Sequence, residues 1–82
     1  MLEFPVAFPI KAMGRSSKEF RQVVIDIVAT QASFHHQDDV REQASSNGNF
    51  VSVTVTFMAE SKNQLDTVYQ ALHDHDLVLM VF

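Results

Sequence analysis

A two-layer α+β fold with the element order β-α-β-β-α-β is what this sequence predicts, on three observations. Apolar residues recur with period two near the start, in the middle and at the end of the chain. Between them, two stretches switch to the 3.6-residue period of an amphipathic helix, and each switch follows a Ser-x-x-Glu/Gln helix-start pattern.

Phe8, Ile10 and Ala12 alternate with Pro9 and Lys11, which predicts a first strand over about Ala7–Met13 that stops at Gly14, one of two glycines. Ser16-Ser17-Lys18-Glu19 then reads as a capping box. The serine hydroxyl takes an orphan amide, and the Glu19 carboxylate reaches back while favouring the positive end of the helix dipole. The first helix is expected from about Ser17, burying Phe20, Val23, Val24, Ile27 and Val28 and leaving Arg21, Gln22 and Asp26 wet. Its β-branched residues lower intrinsic propensity, so this helix needs a sheet to lie on.

Asp38–Ser45 alternates weakly and carries charge, the pattern of an edge strand. Ser45-Ser46-Asn47-Gly48-Asn49 supplies a hairpin, since Asn-Gly readily takes the positive φ angles of a tight turn. Phe50–Met58 sets Val51, Val53, Val55 and Phe57 against Ser52, Thr54 and Thr56, a half-buried central strand. Ser61-Lys62-Asn63-Gln64 is a second capping box. It opens a helix with the stripe Leu65, Val68, Tyr69 and Leu72 that ends near His73, and Leu77–Phe82 forms the last strand. Right-handed crossovers and one apolar face per helix favour a four-stranded antiparallel sheet of order 4-1-3-2 with both helices on one face, the ferredoxin-like fold.

At 82 residues the chain is expected to be one domain, 1–82, burying roughly 60–65% of its unfolded surface. Hydrophobic content of 46% with 20% charged residues excludes a mostly disordered chain. The absence of cysteine removes disulfides, thiolate metal sites and thiol nucleophiles. No basic stretch precedes the first apolar residues, and Pro5 and Pro9 interrupt the run from Phe4 to Ile10, so the expectation is a cytoplasmic protein without a membrane span. A net charge of −4 with no basic tail offers no general field for a phosphate backbone. Nucleic-acid binding on the open sheet face is further disfavoured by Ser52, Thr54 and Thr56, which stand where base-stacking aromatics would be needed.

Groups able to do chemistry or binding cluster at a few places. His35-His36 with Asp38-Asp39, and His73-Asp74-His75-Asp76, combine imidazole and carboxylate, yet the topology sends the two groups to opposite ends of a sheet roughly 20 Å long. They read as solvated loop residues, and no metal or cofactor is assigned. Gly14, Arg15, Ser16 and Ser17 open the first helix and are the candidate anion or small-metabolite site, with the Asn47-Gly48 hairpin and the His73–Asp76 loop as neighbours. The last strand is apolar on both faces although it sits at an edge. Val78, Met80 and Phe82 are therefore the candidate interaction surface, and a homodimer is the expected way of covering it. No nucleophile elbow, phosphate loop or metalloprotease motif occurs, so no catalytic residue is assigned and an enzyme is not expected.

Glu3-Phe4-Pro5, Lys11-Ala12-Met13-Gly14, the run from Ser46 to Thr54, Tyr69-Gln70-Ala71-Leu72 and Val78-Leu79-Met80-Val81-Phe82 together resemble the YbeD-like family of small bacterial proteins of unknown function. The resemblance spans nearly the whole chain. It implies a fold similar to the ACT regulatory domain, a small module that binds amino acids and pairs side by side in metabolic enzymes. It also marks Gly14, Arg15 and Ser16 as the positions matching the ACT ligand loop. Two functions are expected on these grounds: a non-enzymatic regulatory or protein-interaction module that self-associates through its sheet, or an ACT-like metabolite-binding domain using the Gly14–Ser17 loop.

Overall fold

The elements run β1 (Val6–Arg15), α1 (Phe20–Ala29), β2 (Val40–Ala44), β3 (Phe50–Ala59), α2 (Lys62–Asp74) and β4 (Val78–Val81). The computed structural model describes residues 3–35 and 37–82. The strands form one sheet of order β2-β3-β1-β4 with every neighbouring pair antiparallel, the order the sequence predicts. Both helices pack on one face. Their buried residues, Phe20, Val24, Ile25 and Val28 from α1 and Leu65, Val68 and Leu72 from α2, join Ile10, Ala12, Val51, Val53, Val55, Phe57 and Ala59 of the sheet in one cluster. Among the described residues that core holds no buried polar or charged side chain, so burial of apolar surface is what favours it.

β1 is longer than its pattern suggests, because Gly14 and Arg15 remain paired with Val51 and Phe50. Pro9 sits inside this central strand without breaking it. Lys11 exchanges backbone bonds with Phe82, the residue after β4, at 3.4 and 2.7 Å, so by strand alternation the Pro9 nitrogen also points to the β4 side. No β4 residue pairs there, and the missing N–H costs no ladder bond.

α1 begins at Phe20, three residues later than expected. The Ser17 hydroxyl accepts the Phe20 N–H at 3.2 Å, one residue on from the Ser16–Glu19 spacing of the expected box, and Glu19 makes no side-chain cap bond. The Ser16 N–H, which Glu19 would have to reach, donates instead to Asn49 O of the hairpin at 3.0 Å. The helix is also rotated about its axis relative to the expected stripe. Ile25 is fully buried, whereas Val23 and Ile27 lie half-buried at its margins.

The hairpin departs from a two-residue turn. Only Gly48, at φ 74°, has a positive φ among the described residues, and the loop spans 46–49. Asn47 acts through its side chain: Oδ1 accepts from Ser45 Oγ at 2.8 Å and from the Asn49 N–H at 3.1 Å, while Ser45 Oγ accepts the Phe50 N–H at 3.1 Å. β2 is correspondingly shorter than the expected Asp38–Ser45, because Asp39 belongs to the preceding loop. Its N–H donates to His35 O, and its carboxylate accepts the His35 N–H.

α2 follows its sequence signals closely. Ser61 Oγ accepts the Gln64 N–H at 3.1 Å, and Gln64 Oε1 accepts the N–H of Glu60, one residue before the cap, at 2.7 Å. The Gln64 amide also donates to Gln31 O at 2.8 Å, tying the start of α2 to the end of α1. Ser61→Ala is expected to cost about 1 kcal/mol and to lower the melting temperature by roughly 4–8 °C. Thermal unfolding by circular dichroism checks this, and an unchanged midpoint contradicts the cap.

Candidate functional site

β4 is the free edge opposite β2. Its pairing with β1 breaks between Met13 and Gly14: Met13 faces Met80, but Gly14 faces Val78, so Leu79 is an extra residue in a β-bulge. The bulge resets the alternation. Val81 and Val78 pack against the core, whereas Leu79, Met80 and Phe82 are 52, 51 and 55% exposed. The candidate surface read as Val78, Met80 and Phe82 is thus divided. Met80 and Phe82 lie on the side of the sheet away from the helices, opposite Met13 and Lys11, and Val78 turns inward. Leu79, which simple alternation passes over, is presented to solvent.

Gly14 lies beside the bulge, where the packing is tightest. A Cβ on it would overlap the Phe20 ring and come within 2.5 Å of the Leu77 carbonyl oxygen. Only a residue without a side chain lets α1 and the α2–β4 turn approach β1 so closely. The backbone at the edge is also available. Phe82 exchanges both of its bonds with Lys11, so the N–H and C=O of Val81 point away from the sheet. Beside this edge, Asp66, Tyr69, Gln70, His73 and Val81 line a groove of about 380 Å³, and the Tyr69 hydroxyl donates to Phe82 O at 3.1 Å.

The second candidate, Gly14 to Ser17, lies at the end of the sheet where sequence topology places it, next to the hairpin and the α2–β4 turn. Part of it is already engaged, however. The Ser16 N–H donates to Asn49 O, the Ser17 hydroxyl oxygen accepts the Phe20 N–H, and Gly14 and Arg15 are strand residues rather than a loop. Arg15 is exposed.

The histidine groups do fall at opposite ends. His75 caps α2, with Nδ1 accepting the Leu77 N–H at 3.1 Å, and His73 lies in the last helical turn. His35 lines a cavity of about 440 Å³ with Ala7, Phe34, Asp39, Thr56 and Met58 at the other end. His36 lies outside the described residues. Sequence reasoning did not anticipate this cavity, because Ser33 and Phe34 carry no periodic signal. Among the described residues no helix is long and apolar enough to cross a membrane, and no group of three or more metal-ligating side chains is assembled.

Element order, sheet order and the shared helix layer define a ferredoxin-like sandwich with one face of its sheet uncovered. The chain belongs to the family described as "Protein of unknown function (DUF493)", whose model matches residues 1–82. A UPF0250 protein of Nitrosomonas europaea is 44% identical over 81 residues, covering 99% of this chain and 93% of that relative. Another, from a Janthinobacterium species, is 40% identical over the same span, with 99 and 89% covered. The YbeD-like resemblance read from the sequence agrees with these matches. The solution structure of HP0495 from H. pylori superposes with a TM-score of 0.73 over 100% of this chain and 86% of that one at 13% identity, which shows the same fold.

Proposed function

We propose that this is a cytoplasmic, non-enzymatic interaction module that pairs with a second copy of itself along β4. The observation that carries the reading is the half-exposed apolar edge formed by Leu79, Met80 and Phe82. An edge strand with outward backbone groups and no charged residue to guard it is a template for another strand. Two copies related by a two-fold axis would join their β4 strands antiparallel into a continuous sheet, a self-complementary arrangement that closes after two subunits. The groove between α2 and β4 would then lie along the seam, bringing Tyr69, Gln70 and His73 of each copy near the other.

Light scattering at high micromolar concentration is expected to give about twice the 9.3 kDa mass of the chain. Leu79→Lys should return the protein to a monomer with its circular dichroism spectrum intact, since the side chain is largely outside the core. It would also place like charges across the seam. A monomeric mass throughout the concentration range, or a dimer indifferent to Leu79→Lys, rejects edge pairing.

A further inference from the structure

The face of the sheet turned away from the helices segregates charge. Strand register places Lys11 and Thr54 side by side, Arg41 on the far side of Thr54, and Arg15 opposite Phe50, all on that face. Three of the six lysine and arginine residues of a chain with net charge −4 thus stand on one surface. None of the strand positions on it is acidic. Glu42 projects from the other side of β2, and Asp39, at the rim, commits its carboxylate to the His35 N–H. Lys11, Arg15 and Arg41 form no ion pair with an acid among the described residues, whereas Lys62 pairs with Asp66 on α2.

Apolar groups lie between these cations. Met58 and Met80 are about half exposed, Phe50 and Met13 are partly so, and the Lys11 ammonium sits 5.5 Å from the centre of the Phe82 ring. Beside Lys11, a shallow hollow of about 220 Å³ is lined by Met13, Gln43, Phe50 and Ser52. The methionines can repack around a guest of irregular shape.

We propose that this face docks an acidic amphipathic helix of a protein partner, with the apolar stripe of that helix on the methionines and its carboxylates against Lys11, Arg15 and Arg41. Three physical arguments select this occupant. A positive face on an otherwise acidic molecule selects negative partners by charge complementarity. A second copy meeting it face to face would set each arginine and lysine against its own kind with no acid between them. An extended segment would find the backbone groups of the strands already paired within the sheet, whereas a helix brings its own hydrogen bonds and completes a third layer. The proposal is independent of edge pairing, which leaves this face open in either state.

The test is an amide-resolved NMR titration of the full chain with a synthetic peptide of about 18 residues, long enough to hold a helix, carrying a leucine stripe and glutamates on its flanks. Shifts confined to the strands around Lys11, Arg41, Thr54 and Met58, weakening as salt is raised, support it. Lys11→Glu with Arg41→Glu, both exposed substitutions, should weaken that peptide by at least about tenfold and make a lysine-flanked version of it bind in its place. Absence of shifts at about millimolar peptide, equal binding of the lysine-flanked peptide to the unaltered protein, or tighter binding of a single-stranded oligothymidylate to the same face overturns the proposal.

Discussion

Phe20→Ala is expected to destabilise the protein by about 3–5 kcal/mol, a large share of the roughly 4–12 kcal/mol that a chain of this length has in total. Phe20 is the largest of the fully buried side chains, at 0% exposure. It is the first residue of α1, and its ring lies over Gly14 of β1 near the α2–β4 turn. Its removal therefore leaves a cavity at a junction of three elements, bounded by backbone that cannot collapse into it. The melting temperature should fall by on the order of 15–30 °C, with the variant partly unfolded at 37 °C. Urea unfolding measures the free energy directly. A loss below about 1 kcal/mol would mean that the ring does not fill the junction of these three elements.

Gly14→Ala attacks the same junction from the opposite side. The added methyl overlaps the Phe20 ring, 2.8 Å from Cδ1, and stands 2.5 Å from the Leu77 carbonyl oxygen. The ring is able to tilt, but the carbonyl belongs to the backbone that feeds β4. We expect a cost of about 1–3 kcal/mol or somewhat more, accompanied by amide shifts concentrated in β4 around the bulge. A double-mutant cycle separates the two contacts. In a Phe20→Leu background the penalty of Gly14→Ala should fall by about 0.5–2 kcal/mol without vanishing, because the Leu77 contact persists. If the two substitutions add without coupling, the close approach of α1 to β1 at Gly14 is wrong. Since β4 is the proposed pairing edge, Gly14→Ala should also weaken any dimer, linking the core to the surface.

The strands, helices and sheet order were legible because each is written as a periodicity with an explicit start or stop. The alternation Val51, Val53, Val55, Phe57 admits only one buried face, and Ser61 with Gln64 marks the start of α2 to the residue. Where the reading departs from the structure, two local signals compete for one group. The Ser16 amide can serve the helix cap or the hairpin, and Asn49 takes it. The rotation of α1 was not legible for a different reason. Val23, Val24, Ile25, Ile27 and Val28 are nearly equivalent in hydrophobicity, so the pattern permits several orientations. In the folded protein Phe20 packs against Gly14 and the orientation adopted buries Ile25.

The candidate surfaces divide in the same way. The apolar character of the last six residues is plain from composition. The bulge that turns Val78 inward and Leu79 outward is not, since a one-residue slip in pairing leaves no trace in a string of apolar letters. The charge of the open face was equally hidden. Lys11, Arg15 and Arg41 are scattered among acids along the chain, and only the register of β1, β2 and β3 brings them together without one.

By itself the sequence determined the order of elements, which residues of β1 and β3 face the core, and the poverty of catalytic groups, because these depend on spacing along the chain. Tertiary structure alone decided the orientation of α1, the side to which each residue of β4 turns, and the segregation of cations on the uncovered face. These depend on contacts between residues far apart in the chain, such as the approach of the Phe20 ring and the Leu77 carbonyl to Gly14.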